Sequence, residues 1–123
     1  MTIALWCVLI AGLLPYVATG IAKGGAKFDN KQPRDWLSKQ EGYRRRANAA
    51  QANGFEAFPL FAIAVLVSMQ LQAPQAKVDM LAMIFVGARI AHLVCYVVDW
   101  AILRSIAWFA GIVCAVMIFA AGA

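Results

Sequence analysis

The sequence predicts an all-α membrane protein, a four-transmembrane-helix bundle formed as one domain over residues 1–123, and three observations predict it. Hydrophobic residues make up 63% of the chain and charged residues only 14%, more apolar surface than one small soluble core can hide. The apolar residues gather in four stretches, and most of the charge sits in the one long connection between the first two.

The first stretch runs from about Thr2 to Ala22. It has no positive n-region, its apolar run exceeds a typical signal-peptide core, and its basic residues follow it, so it reads as a span and not as a cleaved leader. The second covers about Ala47 to Leu71, the third about Met80 to Val98, and the fourth about Ser105 to Ala121. At about 1.5 Å per residue, each crosses all or most of a hydrocarbon core about 30 Å thick. Helices are the form that can do so, because lipid offers the backbone no hydrogen-bond partner.

The connection over residues 23–46 carries Lys23, Lys27, Lys31, Arg34, Lys39, Arg44, Arg45 and Arg46 against Asp29, Asp35 and Glu41, a balance of 8 − 3 = +5, the whole net charge of the protein. Elsewhere Lys77, Arg89 and Arg104 match Glu56, Asp79 and Asp99 in number. The positive-inside rule places this basic loop in the cytoplasm and both termini outside. A basic surface can also suggest nucleic acid, but charges beside membrane spans are explained by orientation and contact with anionic lipid, and no nucleic-acid partner is expected.

Cys7, Cys95 and Cys114 all fall within spans without CxxC spacing. They read as small buried residues, and neither a disulfide framework nor a metal site is expected. No phosphate-binding glycine loop or hydrolase triad is present in the chain, which has a single histidine, His92.

Polar residues inside the spans carry the functional information. On the second helix Asn53 and Glu56 stand three apart and share a face, with Gln51 and Arg46 nearer its basic end; on the third, Arg89, His92 and Tyr96 follow an i, i+3, i+7 pattern on one face. An ionised group at mid-bilayer costs at least about 2.5–3.5 kcal/mol. Glu56 and Arg89 are therefore expected to face each other or a wet cavity. Two charges alone would suit a structural ion pair, whereas an Asn, a His and a Tyr on the same faces favour a ligand site.

Other positions look structural. Gly87, Ala91 and Cys95 form a four-spaced stripe of small residues that would let a neighbouring helix approach closely, as would Gly12 and Gly20 with Ala4. Pro15 and Pro59 are expected to bend their helices, the second close to Glu56. Trp6, Trp36, Trp100 and Trp108 lie mostly near span boundaries and read as interfacial anchors. Four short helices enclose a polar ligand poorly, so a site between subunits of an oligomer is expected.

The run "RANAAQANGFEAFPLF" from Arg46 to Phe61 resembles the second-helix signature of the membrane-associated proteins in eicosanoid and glutathione metabolism, the MAPEG family. The stretch "ARIAHLVCYVVDWAILRSIAW" is similar to that family's third helix and the turn into the fourth. The resemblance covers nearly the whole chain. It implies a homotrimer of four-helix subunits binding glutathione as cosubstrate between neighbours in the cytoplasmic half of the membrane. The activity it implies is that of a glutathione transferase or peroxidase acting on a small lipophilic substrate. The small bacterial members are the most similar, which implies a bacterial inner membrane.

By the same resemblance, Asn53 and Glu56 match residues that hold the glutathione backbone, with Glu56 on its amino group. Arg89 and Tyr96 match third-helix contacts to the tripeptide, and His92 lies between them. Arg104 matches the arginine beside the sulfur, with Ser105 as a neighbouring donor, and these two are the expected catalytic residues. Ala49 departs from the eicosanoid branch, which has arginine there; Arg46, about one turn earlier, is the substitute for that carboxylate contact. Arg104 also reads as a basic anchor ending the third connection.

Two other function classes are weighed against the enzyme. One is a non-catalytic membrane binding or scaffold protein of the same fold, which Ala49 favours. The other is a small four-helix exporter, which would need a carboxylate in its first helix, where this chain has none.

Overall fold

A computed structural model describes residues 1–123. Helix α1 spans Ile3–Lys23, α2 Pro33–Ser38, α3 Gly42–Gln70, α4 Gln75–Val97 and α5 Ala101–Ala120. All but α2 are long and apolar enough to cross a membrane. Their outward faces carry large apolar side chains such as Leu13, Ile63, Leu66, Ile106 and Phe109, which is the surface a bilayer solvates.

Three of the long helices begin four or five residues before the apolar stretches that announce them. Hydropathy marks only the part of a helix that lies in hydrocarbon. The turns of α3 holding Tyr43 to Arg46, and of α4 holding Gln75 to Asp79, are polar helix that continues past it. The short α2 lies within the basic connection and was not expected there. Pro33 opens it at its first turn, where a missing N–H costs nothing, and its one buried side chain, Leu37, seats between Ala22 and Ala47. Trp36 packs edge-on to Phe28 at 5.1 Å, and the Lys23 ammonium stands 4.1 Å from the centre of the Phe28 ring. The basic segment is thereby folded against the bundle.

The interior is uneven along its length. Toward the end that holds the termini, Phe61 and Phe85 stack in parallel with centroids 3.9 Å apart, surrounded by Val65, Val78, Leu81 and Ile118. Such a pair contributes about 0.5–1.5 kcal/mol beyond area burial. Toward the basic end, the contact of α1 with α3 is made by small residues, among them Ala18, Ala22, Ala47 and Ala50. Small side chains let helix backbones approach closely in a membrane, where packing and not water exclusion drives association.

Pro15 is part of that seam. A Cβ on Gly54 would come 2.9 Å from Pro15 Cγ, so the proline ring of α1 fills a notch that only glycine leaves on α3. The expected small-residue stripe behaves differently: Gly87 and Ala91 point outward and nothing lies within 4 Å of a Cβ built on Gly87. No helix of the same subunit covers them.

Two arginines at the start of α3 close the basic end. Arg44 Nη1 donates to the Ala22 carbonyl at 2.9 Å, and Arg46 Nε and Nη2 donate to the Val97 carbonyl at 3.1 and 2.9 Å. These are last-turn carbonyls of α1 and α4, which have no acceptor-matching N–H of their own helix, and a cation there also suits the helix dipole. At the opposite end Asp79 of α4 accepts from the Ala4 N–H at 2.9 Å, capping α1 together with Thr2. Helices α3 and α4 both end on a left-handed residue, Gln72 at φ 57° and Asp99 at φ 66°. The paired bonds Ala73 N–H to Ser68 O and Gln72 N–H to Met69 O, and likewise Trp100 N–H to Cys95 O and Asp99 N–H to Tyr96 O, make each a Schellman cap.

Candidate functional site

The i, i+3, i+7 spacing on α4 turns Arg89, His92 and Tyr96 inward along one face, at increasing distance from the apolar core. Arg89 and His92 are buried and Tyr96 is half-buried. Arg89 Nη2 donates to Asn53 Oδ1 on α3 at 2.7 Å. The His92 and Tyr96 rings meet edge to face at 5.5 Å. From the first turn of α5, the Arg104 guanidinium lies over the Tyr96 ring, 4.6 Å from its centre, a contact that contributes about 0.5–2 kcal/mol depending on desolvation and that fixes where the charge sits.

These side chains surround a cleft of about 260 Å³ lined by Asn53, His92, Tyr96, Arg104, Ser105 and Trp108. Five of the eight residues singled out in the sequence meet there. Its lining holds one full positive charge, Arg104, and no carboxylate, so it suits an anion. Hydroxyl, amide and imidazole groups add donors that can follow charge as it develops.

The remaining three stand elsewhere. Arg89 lies beneath the cleft, reaching it through Asn53. Glu56 does not face Arg89: it is exposed on the outer surface of the subunit, and the one ion pair in the structure is Lys39 with Asp35 at 3.0 Å, at the surface. Positions three apart on a helix differ by about 60° in direction, enough here to turn Asn53 inward and Glu56 outward, and an amide oxygen satisfies Arg89 in place of the carboxylate. Arg46, expected to reach a ligand carboxylate, turns instead to the Val97 carbonyl and is absent from the cleft lining.

Trp108 is a cleft residue that sequence reasoning assigned to the membrane interface. The signal was available: Arg104, Ser105 and Trp108 fall at i, i+1 and i+4, so Trp108 stands directly above Arg104 on α5. On the outer side of the same helix a more open, mainly apolar groove of about 510 Å³ is lined by Ala101, Ile102, Arg104, Ser105, Ile106 and Phe109. Arg104 and Ser105 therefore border both a polar cleft and an apolar groove open to lipid.

The model of the MAPEG family matches residues 3–123, essentially the entire chain. The chain belongs to the MAPEG family. It is accordingly an integral, multi-pass membrane protein of a family concerned with glutathione-dependent transferase and peroxidase chemistry. Compared with curated protein sequences and with solved structures, this MAPEG protein matches none.

Proposed function

We propose that this MAPEG protein is a membrane glutathione-dependent transferase or peroxidase, which joins glutathione to lipophilic electrophiles or reduces them, and that the thiol is bound in the cleft between α3, α4 and α5. The observation that carries this reading is the position of Arg104 and Ser105, which line the polar cleft and the apolar groove together. A polar thiol on one side and a lipid-borne substrate on the other would meet at these two residues.

A free thiol with pKa near 8.5 is only a few per cent thiolate at neutral pH, and the thiolate is the nucleophile. Lowering that pKa by about two units takes about 2.7 kcal/mol of selective stabilisation of the anion. Arg104, held over Tyr96, supplies a fixed cation for this, and the Ser105 hydroxyl a second donor. No covalent intermediate with the protein is needed.

The cleft of about 260 Å³ lies below the range of about 300–1,000 Å³ usual for small-molecule sites. A second subunit completes it in this reading. The outward Glu56 then meets the ligand's amino group at the interface of a homotrimer, and the uncovered Gly87 and Ala91 supply surface on which helices of another copy can close. The basic loop is placed in the cytoplasm with both termini outside, in a bacterial inner membrane, and the cleft then opens on the cytoplasmic half.

Glutathione titrated calorimetrically into the detergent-solubilised protein tests the proposal. Saturable binding that weakens about tenfold in Glu56→Ala is the expected result. Absence of binding at millimolar glutathione overturns it. A second reading, a membrane binding protein that retains the ligand site without catalysis, is favoured by Ala49 where the eicosanoid branch has arginine; glutathione binding without turnover of any lipophilic electrophile would identify it.

A further inference from the structure

Between α1, α3 and α4 lies a second cavity, about 20 Å³, whose lining includes Ala11, Pro15, Ala50, Gly54, Arg89 and His92. Water occupies a cavity when it has more than about 10–15 Å³ and two to four polar partners, and three are at hand. His92 is 2% exposed and its Nδ1 has no hydrogen-bond partner in the protein. Ala11 and Pro15, both in the lining, stand four apart on α1, and the proline has no N–H to give the Ala11 carbonyl. Arg89 makes a single hydrogen bond, to Asn53, and its other N–H groups are unspoken for.

We infer that this cavity is an internal water site, in which one resident water accepts from the Arg89 guanidinium and donates to the Ala11 carbonyl and to His92 Nδ1. The buried Nδ1 of His92 thereby gains the partner its burial demands. Arg89 has only protons to offer and the carbonyl only lone pairs, so the water's remaining proton goes to the imidazole. That makes Nδ1 the acceptor and puts the ring proton on Nε2. His92 lines the larger cleft as well, so the water orients a proton donor toward whatever anion the cleft holds. This last step rests on the proposed function; the water site itself does not.

His92 is the only histidine in the chain, so imidazole nitrogen resonances of the ¹⁵N-labelled protein in micelles belong to it alone. The experiment is run without glutathione at a pH where the ring is neutral, which separates it from any failure of ligand binding. The expected result is the Nε2–H tautomer, with a dipolar contact between a long-lived water and the Ala11 methyl group, which is buried away from the cleft. A predominant Nδ1–H tautomer overturns the inference. So does the absence of a water contact at Ala11 in the wild-type protein.

Discussion

Arg89 on α4 and Asn53 on α3 are joined by a 2.7 Å hydrogen bond that links positions 36 residues apart. The guanidinium is buried, and the amide oxygen is its one protein acceptor. Hydrogen bonds to charged groups contribute about 1.5–3 kcal/mol. A double-mutant cycle with Asn53→Ala and Arg89→Met, read by unfolding in mixed micelles, should return a coupling energy in that range. Additive effects of the two substitutions would show that the bond does not hold α3 to α4.

The notch that receives Pro15 makes Gly54 intolerant of a side chain. Gly54→Ala places a methyl 2.9 Å from Pro15 Cγ, and overpacking of this kind costs about 1–3 kcal/mol. Pro15→Ala should relieve most of that loss in the double variant. If Gly54→Ala alone leaves the unfolding transition where it was, the seam between α1 and α3 is looser than described.

Gln72 and Asp99 adopt a backbone conformation that costs a residue with a side chain about 1–2 kcal/mol relative to its right-handed counterpart. Glycine avoids the strain but surrenders more entropy on folding. Gln72→Gly and Asp99→Gly are therefore each expected to stabilise the protein by about 0.5–1 kcal/mol, measured by the same unfolding method. Destabilisation would mean that the side chains make contacts outweighing the strain.

Glu56 separates stability from binding. It is exposed and makes no ion pair or side-chain hydrogen bond within the subunit, so Glu56→Ala should change folding stability by less than about 0.5 kcal/mol. Loss of a charged contact to a ligand amine costs at least about 1.5 kcal/mol, about tenfold in affinity for glutathione. Unchanged affinity by calorimetry would remove Glu56 from the site.

Arg104→Ala should raise the pKa of the bound glutathione thiol by about two units, followed by the ultraviolet absorbance of the thiolate as pH is varied. Arg104→Lys keeps the charge but loses the planar group that lies over Tyr96, and its thiol should titrate between the two. Identical titration in all three proteins would leave Arg104 as an anchor at the helix start.

The four spanning helices were legible because hydropathy reports burial in lipid directly. Their polar beginnings, and α2, were not, since a helix leaving the membrane changes composition without changing conformation. On α4 the trio Arg89, His92 and Tyr96 was readable from spacing alone, as all three sit on the one helix that defines the face. That Arg89 would pair with Asn53 and not with Glu56 was not, because it required the rotation of one helix against another, and a 60° difference between Asn53 and Glu56 decides which of them turns in. Gly54 attracted no notice in the sequence, since its role depends on where Pro15 of another helix comes to rest.

The capping of α4 by Arg46 bears on how the chain is assembled. The arginine and the Val97 carbonyl it holds are 51 residues apart, and α4 leaves the ribosome last but one among the helices. Until it is inserted, Arg46 has only water or lipid headgroups for company, which keeps the start of α3 at the membrane surface. Topogenesis and tertiary closure thus draw on the same basic cluster in succession: its charge first retains the loop on one side, and its guanidinium groups then fasten α1 and α4 once both have arrived. A ribosome stalled before Val97 emerges should leave a nascent chain whose first two spans are inserted yet remain easily extracted or proteolysed near Arg46.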